Sequence, residues 1–334
     1  MRATLKIFAV VALWATSWHV GLAQEAPPTI LEIELENRVQ YVGDISDFSK
    51  LASDPNVTPT VPLKTFVPVL IIADIVAVNT QPVMGTAVFH LRQINLRTAP
   101  NAGQAIADVV RNNVVDIRFE VLKSDGTPIG TIMASGMGGG PPPPGAPSGV
   151  LVGNVAIVGG TGAFLGARGQ VGQGMIFRAD RIASMSEDPA NRRRNGGGKV
   201  RYVLNLIPLF RPEVVITAKG PAVFHAIDST RVTAAKPARS GEALTLLASG
   251  LGPTRPGVDP GQPFTVDPQQ VVNSPVELSV NGNPAEVLSA VGYPGAVDRY
   301  QVNFRVPDGT EAGLASVQLS SAWIAGSNVI IPVQ

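Results

Sequence analysis

The sequence predicts an all-β protein built as two successive units, and three observations carry that prediction. Apolar and polar residues alternate with a period of two along most of the chain, as in strands with one buried face. The 35 glycines and 29 prolines concentrate between these runs, where they act as turn signals. Near Ala218 the long runs give way to short ones spaced about ten residues apart. At roughly 100–200 residues per domain, 334 residues suffice for two cores. The predicted division is 1–23 as a signal peptide, 24–218 as the first unit and 219–334 as the second.

The opening segment reads as an export signal. Arg2 and Lys6 precede an apolar run from Ile7 to Ala15, and Gly21-Leu22-Ala23 offers the small residues a signal peptidase reads. Cleavage is expected after Ala23. Thr16, Ser17 and His19 break the apolar stretch short of the ~20 residues of a spanning helix, so no membrane span is expected after cleavage. Removing Arg2, Lys6 and His19 leaves 24 basic and 25 acidic residues, with His90 and His225 as the remaining histidines. Such a balance argues against a nucleic-acid partner, which needs a basic surplus. The lack of cysteine excludes disulfides, thiolate metal sites and cysteine nucleophiles. No metal and no cofactor is expected. An exported chain without cysteine fits a bacterial secreted, periplasmic or cell-surface protein.

The first unit opens with Leu31, Ile33 and Leu35 alternating with Glu32, Glu34 and Glu36, a half-buried strand. Further strands are expected at Val69–Val78, Met84–Leu96, Val114–Leu122, Ile129–Ala134, Val150–Val158, Gln170–Phe177 and Lys199–Leu209, with one short helix at Gly103–Arg111. Eight strands and a short helix suggest a closed barrel or a sandwich. Two insertions interrupt the pattern. Gly138–Gly149 carries Pro141-Pro142-Pro143-Pro144 between glycines, a stiff surface loop. Ser186–Gly198 carries Arg192-Arg193-Arg194, which reads as a solvated hairpin loop rather than a phosphate site.

Gly159-Gly160-Thr161-Gly162 after an apolar run imitates a dinucleotide-binding loop. Glycines that continue through Gly166, Gly169, Gly172 and Gly174 make a poor helix, and no βαβ unit surrounds them. The favoured reading of Gly159, Gly160, Gly162, Gly166 and Gly169 is a structural strand–turn–strand corner. Candidate binding residues are His90 and Arg92, which share a face of one strand, and Arg168 beside the corner. Asp116, Arg118 and Glu120 share another face, expected to meet solvent because Val115, Ile117, Phe119 and Val121 make the better core face.

Val158-Gly-Gly-Thr-Gly-Ala-Phe-Leu-Gly-Ala-Arg-Gly169 resembles the late-barrel motif of dirigent proteins and allene oxide cyclases. Pro82–Phe89 and Ser124–Gly130 extend the likeness loosely over about residues 30–215. The resemblance implies an eight-stranded antiparallel barrel with an apolar lumen, often trimeric, that holds a reactive apolar molecule in one conformation. Arg168 matches the arginine of the family's Ala-Arg-Gly segment. Ala163 stands where an acidic residue often follows the glycines, which weakens acid-assisted chemistry.

In the second unit, about seven short strands with Gly/Pro turns carry the spacing of an immunoglobulin-like β-sandwich. Its segments Arg239–Thr254, Val276–Leu288 and Tyr300–Pro307 resemble the C-terminal domain family named after Solibacter secreted proteins. That resemblance implies export and an interaction role toward a protein or cell-surface partner. The function expected is non-catalytic binding or scaffolding, with a small apolar ligand in the barrel. The alternative is a barrel enzyme that guides cyclisation or coupling of an apolar substrate. An open lumen with His90, Arg92 or Arg168 projecting into it would support binding, and a lumen filled by Leu, Ile and Phe a structural role.

Overall fold

The computed structural model describes residues 29–42, 67–93, 113–138, 153–259 and 261–334. The expected signal peptide, the helix at Gly103–Arg111 and the Pro141–Pro144 run lie outside the described residues. What is described is all-β, with a single turn of 3-10 helix at Pro189–Asn191. No helix among the described residues is long and apolar enough to cross a membrane.

Eight strands close a barrel: β1 (Thr29–Val42), β2 (Val67–Val78), β3 (Met84–Gln93), β4 (Asn113–Leu122), β5 (Pro128–Gly138), β6 (Gly153–Gly162), β7 (Arg168–Arg178) and β8 (Gly198–Ile207). Each pairs antiparallel with the next, β8 returns to β1, and β1 pairs with β2 to complete the ring. The alternation read from the sequence decides what faces inward. Val115, Ile117, Phe119 and Val121 of β4 are buried, while Asp116, Arg118 and Glu120 between them are exposed. Leu31, Ile33 and Leu35 of β1 are fully buried, and the glutamates between them pair with β8 across the outer face. Arg201 reaches Glu34 at 3.0 Å and Lys199 reaches Glu36 at 2.8 Å. Partly exposed pairs of this kind contribute about 0–1 kcal/mol each.

One irregularity reorganises β1. Its register with β2 slips between Glu36 and Val39, where Asn37 adopts φ +50°. Leu35 still stands opposite Ile75 of the core face, but Val39 and Tyr41 stand opposite Ile72 and Leu70 on the outer face. Val39, Tyr41, Ala183, Leu70 and Ile72 therefore build a small second cluster outside the barrel. There the short strand Arg181–Ser184 runs parallel to the end of β1. A bulge of this kind inserts unpaired residues and re-aims those that follow.

The second unit is built on β9 (Ala243–Ser249), β10 (Val276–Val280), β11 (Asn283–Gly292), β12 (Tyr300–Arg305), β13 (Gly313–Ser321) and β14 (Val329–Val333). β9 pairs with β12, β12 with β11, β11 with β10, β10 with β13 and β13 with β14, all antiparallel. Leu244, Leu246, Val302 and Phe304 on one side share a core with Leu278, Val317, Leu319 and Ile331 on the other. The unit begins earlier than composition suggests. Glu213 and Val214 already pair with Ser249 and Ala248, a two-residue strand too short to show as a pattern.

The two units meet at the turn end of the barrel. Ala322, Trp323 and Ile324 belong to the barrel's hydrophobic cluster rather than to that of their own unit. Trp323 Nε1 donates to Gln81 Oε1 at 2.7 Å, Asn273 Nδ2 to the Pro128 carbonyl at 2.8 Å, and Arg255 Nη1 to Thr127 Oγ1 at 3.0 Å. Gln81 also donates to the Glu277 carboxylate.

Candidate functional site

The barrel interior is occupied by side chains. Phe89 of β3, Phe119 of β4 and Tyr202 of β8 meet across it, with ring centroids 5.4–5.9 Å apart. Leu31, Ile33, Ile117, Ile132 and Ile157 pack around them, each essentially without solvent contact. Phe164 enters from the turn after β6 and joins the same cluster.

The sequence-predicted candidates lie elsewhere. His90 and Arg92 are exposed on the outer face of β3, with His90 directly across from Asp116. Arg168 is also exposed, and its Nη1 donates to the Val158 and Ala167 carbonyls at 2.7 and 3.0 Å, which ties the corner together. The structure brings none of the three into the lumen. The glycines form the corner itself: Ala163–Gly166 turn between β6 and β7, and no helix follows. Gly162 sits at φ +60°, and at Gly169 (φ +140°) a Cβ would overlap the Asn205 carbonyl of β8. Both positions favour glycine for backbone reasons.

A polar element that alternation did not reveal faces the other end of the lumen. After the bulge, Arg38 points inward, and its guanidinium lies 5.0 Å from the Phe89 ring centroid and 5.8 Å from that of Tyr202. Its Nη1 meets Asp180 Oδ2 at 2.5 Å and its Nη2 donates to the Tyr202 hydroxyl at 3.1 Å. Asp180 Oδ1 and Arg38 Nε are buried without a hydrogen-bond partner among the described residues. Burial pushes the Asp180 carboxyl up, against the pull of Arg38. Burial also raises the Tyr202 phenol. This cluster closes the aromatic core under a charged pair.

The Ser186–Gly198 loop is mostly exposed, as a solvated hairpin should be, but two of its arginines are paired. Arg192 Nη1 donates to the Asn37 carbonyl at 2.8 Å and Nη2 to Asp74 Oδ1 at 2.5 Å; Arg193 also reaches Asp74. Asn37 Nδ2 completes the set at 2.8 Å. Asp74 is buried on the outer face of β2, and a buried carboxylate needs such partners. Arg192 thus pins the loop over the β1 bulge. His225 has a comparable role in the second unit: it is buried between Glu242 Oε1 at 2.6 Å from Nδ1 and the Lys236 carbonyl at 3.2 Å from Nε2.

Among the described residues a concavity lies between the two units. It is a cleft of about 390 Å³ lined by Phe164, Leu165, Leu209, Phe210, Phe264 and Ile324, among others. Small-molecule sites typically span ~300–1,000 Å³ and are mostly apolar with few polar groups. Leu165, Leu209 and Phe210 are each 58–62% exposed, an unusual density of open apolar side chains for turn and linker segments. The sequence carried one signal for this site: Leu209-Phe210 stands between Pro208 and Pro212, apolar residues just past Ile207, where the barrel's last strand ends short of the expected Leu209. No sequence signal announces the contributions of Asp259 and Asp298, which depend on how the units meet. Among the described residues no group of three or more histidine or acidic side chains could hold a metal ion.

Set against known proteins, the chain matches no family model and no curated sequence.

Proposed function

We propose that this is an exported, non-catalytic binding protein that seats a small apolar ligand in the cleft between its two units. The observation that carries the reading is the cleft itself, 390 Å³ of mostly apolar lining at the junction, beside a barrel whose own interior is packed. The barrel then acts as a rigid support. This shifts the ligand from the lumen to the cleft while keeping the dirigent-like architecture as a scaffold. We read the second unit as immunoglobulin-like, because strands on either side of one core are joined through β11, which pairs with both neighbours. Its outer faces would serve a protein or surface partner.

The test is a titration of the full chain with Nile red, a neutral apolar dye. Saturable binding is expected, and Leu165→Gln with Leu209→Gln together should weaken it at least about fivefold, since two apolar contacts leave the site. Both residues are exposed, so circular dichroism should not change. Dye binding that ignores the double substitution would overturn the assignment to the cleft.

A further inference from the structure

The cleft has a charge character that its apolar lining does not require. Two of its lining residues, Asp259 and Asp298, carry charge, and both are acidic; no lysine, arginine or histidine lines it. Three arginines adjoin the lining in sequence, Arg211, Arg255 and Arg299; Arg299, between Asp298 and Tyr300, is exposed and is not part of the lining. Arg211, between Phe210 and Pro212, sends Nη1 to the Ala325 carbonyl at 3.0 Å, and Arg255, next to Thr254, sends Nη1 to Thr127. Among the described residues neither Asp259 nor Asp298 forms a salt bridge, although ten such pairs occur elsewhere on the surface and at the barrel mouth.

Asp298 is also held in place. Its backbone adopts φ +46°, a region that aspartate enters only occasionally, and its Oδ1 accepts the Gly250 N–H at 3.3 Å. Beside it the Tyr300 hydroxyl donates to the Gly252 carbonyl at 2.7 Å. Burial, then the Asp298 charge and its hydrogen bonding with the hydroxyl, push the Tyr300 phenol up, and both residues line the cleft. A carboxylate beside apolar walls, with no cation in the cleft lining and no ion pair among the described residues, favours a ligand that brings its own positive charge and disfavours one that brings an anion.

We propose that the cleft selects apolar molecules carrying a cationic group, such as a protonated alkyl amine, over neutral and anionic molecules of the same chain length. This rests on the reading of the cleft as the ligand site. The experiment is isothermal titration of the full chain at pH 7 and low salt with three probes of equal chain length: n-octylamine, 1-octanol and octanoate. Octylamine should bind roughly three- to fivefold more tightly than octanol, the range of a partly exposed charge pair, and octanoate more weakly than either. Asp298→Asn should reduce the amine's advantage, and Asp259→Asn with Asp298→Asn should abolish it, while octanol affinity stays unchanged. Asparagine tolerates the positive φ, so the fold is preserved. An amine advantage that survives the double substitution, or octanol binding as tightly as the amine, overturns the charge selection while leaving the cleft reading intact. Failure of all three probes to bind, or binding that ignores Leu165→Gln with Leu209→Gln, overturns the cleft reading itself.

Discussion

Asp74 shows how much one buried side chain decides here. Burial alone would raise its carboxyl. Hydrogen bonds from Arg192, Asn37 and Arg193 outweigh that cost, and the net direction is down. A carboxylate whose folded pKa lies below its unfolded value stabilises the protein above the unfolded value, and the contribution fades as pH falls through the folded one. The unfolded reference is 3.8, so the effect is fully present at neutral pH and is lost in the acid range below that value. Asp74→Asn should therefore lower the melting temperature at pH 7, by an amount corresponding to about 1–3 kcal/mol for partners left without a charged acceptor. The gap between wild type and variant should close as melts are repeated toward pH 3. A gap that stays constant with pH would mean that Asp74 acts through packing rather than charge.

At the scale of elements, β1 is the strand whose behaviour departs most from its pattern. Its first half was legible: Leu31, Ile33 and Leu35 alternate with glutamates, and the structure buries the former and pairs the latter. The alternation of β4 was equally readable, because a strand with one wet face writes its orientation into every second residue. The second half of β1 was not legible. The slip at Asn37 reverses which face is buried without altering the apolar count, so periodicity continues to look regular while geometry inverts. That inversion sends Arg38 into the lumen and makes Asp180 its partner from 142 residues away. Pairing at such distance leaves no local trace. The loop arginines escaped for the same reason, since Asp74 lies far from Arg192 in sequence. The Arg38–Asp180 pair yields a second expectation. Arg38→Met should destabilise by about 3–5 kcal/mol because it strands a buried carboxylate, whereas Arg38→Met with Asp180→Leu should recover most of the loss. Urea unfolding of the two variants decides it: equal losses in both would mean that the guanidinium matters through its stacking on Phe89 and Tyr202.

Across the whole molecule, the two units share a packed contact. The tandem β organisation was visible in the sequence, but the cleft was not, because a junction belongs to neither unit's pattern. The barrel's strands alternate toward its own axis and those of the second unit toward theirs. Leu165, Leu209 and Phe210 follow neither rule and take meaning only when the units are brought together. Trp323 makes the same point energetically. It lies on the turn after β13, yet it is 8% exposed because it packs into the barrel's cluster and bonds Gln81. An aromatic side chain lost from such a position costs about 3–5 kcal/mol. If that contact couples the units, the wild-type chain melts in a single calorimetric transition. Trp323→Ala should then separate it into two, because each unit keeps its own closed core while the shared one is emptied. Two transitions already present in the wild type would show that the cleft is a seam between units that unfold independently, and a ligand bound there would then raise both melting temperatures together.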